Sequence, residues 1–418
     1  MNLGFLTDDL KISRRKFAAV TLLNSGTLAW YFLLIINISY IFSTITMNDP
    51  FWSYYWIGQT LFLGSAIFWA IIGSFAAGRM NRRKLLTSWI TLGTLSTILL
   101  ILSQGTIFAA AASILLGLSM GLGLPSSTAL IADYTVAEER ARVSGTIILG
   151  TFIMAFATIA VAGLLNLEFL GIIMLFALVR STSFLGLVLD KCDKPEQKAT
   201  EKPRLPSTAY REFAYYLFPW VMFSIAGGLA YNLIPTTQEY AAAFVTGKTL
   251  RYVSIAVFGL ASGVAADKIG RKWPIIIGLI VLGASFGLLG FFGITPTNVI
   301  LYLTLSGVAW GSFFVIFLAV PGDLSVFGFR EKFYGIGYML PIAFLFGLSA
   351  IPGETILAGF SAPSFSQILS FLLFISIIPV LLAKETLDES KIEERKMKDY
   401  LKKIGETIQQ SEEDTTPQ

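Results

Sequence analysis

Twelve mostly apolar runs follow one another along this 418-residue chain, near 17–45, 52–77, 85–103, 106–131, 143–165, 169–189, 213–238, 250–266, 274–293, 297–321, 334–358 and 364–383. A helix needs about 20 apolar residues to cross a bilayer, so these runs, termed spans one to twelve, absorb nearly all of the chain between its two tails and one middle loop. A membrane leaves a spanning chain few options, because every backbone N–H and C=O must be satisfied without water. The expected fold is therefore an all-α membrane protein with twelve transmembrane helices. Composition agrees: 55% of residues are hydrophobic and 14% charged, against about 25% charged in a soluble domain.

The basic residues set an orientation. Lys and Arg gather in the first tail (Lys11, Arg14, Arg15, Lys16), then after every second span, as at Arg79 to Lys84, Arg140 and Arg142, Lys191 to Arg211, Lys268 to Lys272, and Arg330 with Lys332. The intervening connections carry none, and only Lys248 and Arg251 lie towards that side. Cytoplasmic loops collect positive charge, which places both termini and the middle loop in the cytoplasm of a multi-pass plasma-membrane protein. The first tail lacks a signal-peptide cleavage site. The single cysteine, Cys192, is expected on the cytoplasmic side.

The chain repeats itself. Asp133, Arg140, Arg142 and Gly145 recur as Asp323, Arg330, Lys332 and Gly335 at a constant offset of 190 residues. Gly117 and Gly121 in span four meet Gly307 and Gly311 in span ten at the same offset, and Arg82-Arg83 meets Arg271-Lys272 at 189. Two pseudo-symmetric six-helix halves follow, entering the membrane from the same side as parallel repeats do. The expected organisation is an N-terminal half at 1–190, a cytoplasmic linker at 191–212, a C-terminal half at 213–384 and a cytoplasmic tail at 385–418. Within that tail Met397, Tyr400, Leu401, Ile404 and Ile408 fall at helical spacing opposite charges, an amphipathic pattern suited to the membrane surface.

One cysteine and no histidine exclude internal disulfides, imidazole metal sites, haem ligation by histidine and Ser-His-Asp chemistry. No cofactor or metal is expected. A polytopic transferase typically uses clustered acids or histidine at one face, which this chain does not offer, so it is read as a non-enzyme. The expected partners are a small-molecule solute and the lipid bilayer, without nucleic acid, and a monomer is expected to suffice.

After span eight the chain reads Gly263-Val-Ala-Ala-Asp267-Lys268-Ile-Gly270-Arg271-Lys272, which resembles the G-x-x-x-D-R/K-x-G-R-R/K signature of the major facilitator superfamily at every fixed position. The counterpart after span two, Ser74 to Arg83, keeps the basic residues but has Gly78 in place of the acid. The Asp-x6-Arg pattern after spans four and ten is similar to that superfamily as well, and Lys384-Glu385-Thr386-Leu387 resembles its sugar-porter branch. The resemblance covers roughly residues 17 to 390 and implies a secondary transporter working by alternating access. It implies that Gly263, Asp267, Gly270, Arg271, Asp133, Arg140, Asp323 and Arg330 act in gating, and that the half carrying Gly78 is the weaker latch.

The same architecture implies a cavity lined by spans one, four, seven and ten, flanked by two, five, eight and eleven, with three, six, nine and twelve facing lipid. Its substrate-binding candidates are Asn24, Tyr31 and Asn37 in span one and Gln59 in span two. Trp220 and Asn232 in span seven, Trp310 in span ten and Tyr338 in span eleven complete the set. These side chains hydrogen-bond and stack but carry no charge, and every acid lies at or close to a span end. A neutral or weakly polar solute such as a sugar, moved without a mid-membrane carboxylate for proton coupling, is the expectation. An organic-anion or drug transporter of the superfamily and a non-transporting sensor remain alternatives. The anion alternative requires Arg180 or Arg251 to reach the cavity. Arg180 either snorkels from lipid-facing span six or has a buried partner, and Arg251 is read at the outer start of span eight. Pro125 and Pro321 are expected to loosen the ends of spans four and ten.

Overall fold

The computed structural model describes residues 10–46, 56–77, 80–102, 105–190, 207–230, 233, 238–326, 328–349, 351, 359–390, 392–393, 397 and 404. Asn232, Cys192 and Gly78 lie outside the described residues, as do 191–206 of the linker and Tyr400, Leu401 and Ile408 of the tail. Eleven helices among the described residues are long and apolar enough to cross a membrane. The twelfth position is filled by Arg82–Leu99, an 18-residue helix whose first turn holds Arg82, Arg83 and Lys84.

In the first half, span one is Arg14–Ile36, continued by Ile38–Ile45 after an irregularity at Asn37. Span two is Trp56–Ala76 and span three Arg82–Leu99. Span four runs as Thr106–Gly121 and Leu124–Tyr134, span five as Ala137–Leu164 and span six as Phe169–Leu189. In the second half, span seven is Ser207–Ala230, span eight Gln238–Ile269, span nine Lys272–Phe292 and span ten Pro296–Leu324. Span eleven is built from Arg330–Tyr334, a π-turn at Gly335–Met339 and Leu340–Ser349, and span twelve from Ala362–Ile375 and Ile377–Leu382.

Local chemistry explains where these helices begin and break. Asn81 accepts from the N–H groups of Arg83 and Lys84 at 3.0 and 3.3 Å, so span three starts immediately after Asn81, with the basic residues as its first turn. Span four breaks just before Pro125, which sits in the first turn of the second segment, where proline costs the helix no hydrogen bond. Pro321, expected to act likewise, leaves span ten unbroken, since the helix continues to Leu324.

Two boundaries differ from the sequence reading. Residues 207–212, assigned to the linker, are the first turns of span seven. Span eight begins at Gln238 rather than near 250, because its first three turns are too polar for a hydropathy window yet helical through their packing. Arg251 therefore sits 13 residues into the helix, about 20 Å from its start at 1.5 Å per residue, and not at its outer end.

The glycine repeat sets the packing within each half. A Cβ at Gly117 or Gly121 would overlap the carbonyls of Phe62 and Ala66 in span two, and one at Gly307 would overlap the carbonyl of Arg251 in span eight. Gly311 lies so close to Ile255 and Gly259 of span eight that a Cβ would fall 2.7 Å from their backbone. Spans four and two, and spans ten and eight, thus approach backbone to backbone through equivalent small residues. Large apolar side chains such as Phe68, Leu102, Ile107, Leu178, Phe291 and Phe371 remain exposed, as a lipid-facing surface requires.

Candidate functional site

Two features occupy the interface between the halves: a charged belt at the end where the basic loops gather, and a cavity on the far side of it.

The belt begins with Asp133 and Asp323, each closing its own half's second helical hairpin. Each carboxylate takes an arginine from the opposite half: Asp133 binds Arg330, and Asp323 binds Arg140. Each also takes an arginine from its own half. Arg82 pairs with Asp133, and Arg271 Nε donates to Asp323 at 2.9 Å. The side chains of Arg271 and Asp323 are 0% exposed. Burial opposes the charge on Arg271, yet Asp323 and Asp267 outweigh it and raise its pKa above the ordinary arginine value.

Asp267 joins the halves a second time. It accepts Arg271 Nη1 at 2.8 Å, the N–H groups of Ala141 and Arg142 at 3.2 and 2.9 Å, and Arg142 Nε at 3.3 Å. Span five can come this close because Gly263 faces the carbonyl of Ala141 without a side chain. Gly270 adopts φ +96°, a conformation glycine enters without strain. The turn it makes lets Glu385 accept the N–H groups of Arg271 and Lys272 at 2.8 and 3.2 Å. Thr386 donates to Asp323 at 3.0 Å, so the Lys384–Leu387 stretch braces the belt from outside the repeat.

The halves are more equal than the loss of an acid at Gly78 implied. Arg82 pairs with Glu331 of span eleven as well as with Asp133, so the acid missing from the first half's loop is supplied by the second half. Glu331 was not singled out by the sequence reading, because a Glu beside Arg330 in a charged loop has no distinguishing signal.

The cavity encloses about 210 Å³ and is lined by spans one, two, five, seven, eight, ten and eleven. Flanking spans thus line it alongside the expected ones, and span four contributes no described lining residue. Tyr31, Gln59, Trp310 and Tyr338 are on its wall. Three other candidates are elsewhere. Asn24 is buried and donates to Ser127 and Val20 carbonyls at 3.2 and 2.9 Å, and Asn37 donates to Leu33 at 2.9 Å where span one changes course. Trp220 is buried in an aromatic stack with Phe317, centroids 4.7 Å apart.

The expectation of an uncharged lining is corrected by span eight. Lys248 and Arg251, three residues apart and so on one helical face, both line the cavity. The Arg251 guanidinium lies 4.5 Å from the Trp310 ring centroid, within cation–π range. Its Nε is buried without a hydrogen-bond acceptor, as is Tyr31 Oη, and no Asp or Glu is among the described lining residues. Apolar side chains, among them Phe32, Phe152, Phe314 and Phe346, make up much of the remaining wall.

Arg180 resolves the other way. It is 0% exposed, so it does not snorkel. Its guanidinium lies 4.1 and 5.0 Å from the Trp89 and Trp30 ring centroids and donates to Thr27 Oγ1 at 2.6 Å and to the Trp89 carbonyl at 3.3 Å. It is a packing element of spans one, three and six, apart from the cavity.

Two repeated six-helix units around a central cavity, shut at one end by reciprocal ion pairs, are the architecture of a membrane transporter. Residues 17–247, more than half of the chain, match the Major Facilitator Superfamily model, and the chain belongs to that superfamily. Among solved structures it is similar to the human organic anion transporter MFSD10 (TETRAN), at 15% identity over 88% of this chain and 99% of that one, with a TM-score of 0.65. It is also similar to the superfamily transporter FucP in the outward conformation, at 11% identity over 89% and 100%, with a TM-score of 0.66. No curated protein matches the sequence significantly.

Proposed function

We propose that this protein is a secondary transporter of a small amphipathic organic anion, and that Arg251 is the anchor for its charge. The observation that carries this reading is a guanidinium in mid-span, bordering an apolar cavity whose described lining holds no carboxylate. A central intramembrane Arg costs about 2.5–3.5 kcal/mol on insertion scales, and such residues mark substrate pathways. A carboxylate or sulfonate accepting from Arg251 Nε, with Tyr31 Oη as a second donor, would satisfy both orphaned groups at once, while the aromatic walls receive an apolar body. A neutral sugar would leave Arg251 without counter-charge. The hydroxyls of Tyr31 and Tyr338, with Gln59, whose amide nitrogen already donates to the Phe346 carbonyl and the Ser349 hydroxyl, are what favour the sugar reading.

In this reading the charged belt is the inner gate, formed by Asp133, Arg140, Asp323, Arg330, Asp267 and Arg271, with Gly263 and Gly270 permitting its close contacts. The termini and the belt face the cytoplasm of a plasma membrane, and the cavity serves the outside. The test is uptake of labelled aromatic carboxylates and sugars by proteoliposomes. Carboxylate uptake that falls at least tenfold in Arg251→Gln and is partly kept in Arg251→Lys is expected. Sugar uptake indifferent to Arg251→Gln, without carboxylate uptake, overturns the assignment.

A further inference from the structure

Span eleven carries both functional features on one segment. Arg330 and Glu331 at its start bind Asp133 and Arg82 of the opposite half. Tyr338 and Ile342, further along, line the cavity. Between them the helix widens into a π-turn at Gly335–Met339, a device found inside helices mostly as a single turn and often at functional positions.

The sequence shows why the helix is irregular there. Pro341 has no N–H to give the carbonyl four residues earlier, that of Gly337, and its ring crowds that carbonyl. The Gly337 carbonyl accepts a donor from another helix: Trp220 Nε1 of span seven, at 2.7 Å and buried. The indole is held for this by its stack on Phe317 and by Phe223, whose ring centroid is 5.2 Å away. On the opposite side Gly335 touches Ser74 of the first half, whose hydroxyl donates to the Glu331 carbonyl at 3.1 Å. The π-turn is thus clasped by its own half at Gly337 and set against the other half at Gly335.

We propose that this π-turn is the hinge through which the cavity and the charged belt are coupled, and that Trp220 is the positioning residue that fixes its register. A solute touching Tyr338 acts on the C-terminal side of the hinge, and the pairs at Arg330 and Glu331 hold its N-terminal side. Loss of the clasp frees the Gly337 carbonyl, lets the turn change register and weakens the hold of Arg330 and Glu331 on the first half. The proposal rests on the charged belt being the closed end of a transporter, and its test uses no solute, so that the two readings fail separately.

The experiment follows maleimide labelling of Ser74→Cys in the purified full chain carrying Cys192→Ser. Ser74 is buried against span eleven, so its labelling reports separation of the halves at the belt. Trp220→Phe, which keeps a ring for the stack but removes the donor, should raise the labelling rate about tenfold, the scale of one buried hydrogen bond. Adding Pro341→Ala gives Gly337 an in-helix donor and should return the rate to within about twofold of the parent. Ser113→Cys, buried within the first half, should stay unlabelled in every variant. An unchanged rate in Trp220→Phe, a double variant as fast as Trp220→Phe alone, or labelling at Ser113→Cys overturns the proposal. Should Trp220→Phe not purify folded, the double variant must regain melting temperature and monodisperse yield, and failure to do so overturns it equally.

Discussion

Arg140 and Asp323 lie 183 residues apart, in different halves of the repeat, and their side chains form a buried ion pair. The same exchange occurs between Arg330 and Asp133. Each Asp-x6-Arg motif therefore gives its acid to one cross-half pair and its base to the other, so that both pairs join the same two halves. Removing one partner of a buried pair leaves an uncompensated charge, at about 3–5 kcal/mol.

Asp133→Asn and Asp323→Asn should accordingly weaken the closed end to a similar degree, raising labelling of Ser74→Cys in the cysteine-free background. The double variant should be less damaging than the sum of the two, since both lie in one coupled network. Fully additive effects on labelling would show that the belt is not a unit.

Arg82→Ala should be about as harmful as Arg271→Ala for transport, because Arg82 holds Asp133 and Glu331 as Arg271 holds Asp323 and Asp267. Relative uptake rates in proteoliposomes decide this. A much milder Arg82→Ala would restore the unequal halves that Gly78 suggested.

Gly307→Ala should lower the melting temperature and reduce uptake as well, because the added methyl overlaps the Arg251 carbonyl and displaces the anchor itself. Overpacking of this kind costs about 1–3 kcal/mol. Gly64→Ala, with nothing within 4 Å of the new Cβ, is the matched control and should leave both unchanged.

Arg180→Met should destabilise the first half by about 2 kcal/mol through lost cation–π contacts while leaving the apparent affinity for a transported carboxylate unchanged. Thermal melting and uptake kinetics measure the two separately. A raised KM with an unaltered melting temperature would move Arg180 to the solute path.

Cys192 tests the orientation without any substitution. An impermeant maleimide added to intact cells should leave it unlabelled, and permeabilisation should expose it, as the proposed cytoplasmic placement of the basic loops requires.

The helix order, the repeat and the charged motifs between the spans were legible in the sequence because they are one-dimensional. Apolar run length, alternation of basic loops and a constant 190-residue offset need no knowledge of packing. The close approach at Gly117, Gly121, Gly307 and Gly311 was legible too, since small residues four apart must share a helical face. Three matters were decided only in three dimensions. The partner of each arginine could not be read from spacing, because Asp133 lies close to Arg140 in sequence yet pairs with Arg330, 197 residues away. Arg251 was misplaced by the polar turns before it: hydropathy started span eight near residue 250 and so left Arg251 at its outer end, whereas the helix, packed against span ten, extends back to Gln238 and puts the guanidinium 13 residues in. Trp220 read as a cavity ligand because it lies on span seven, which the superfamily's architecture assigns to the cavity, and only the fold showed that its N–H is taken by the Gly337 carbonyl, which Pro341 leaves without its usual donor four residues on.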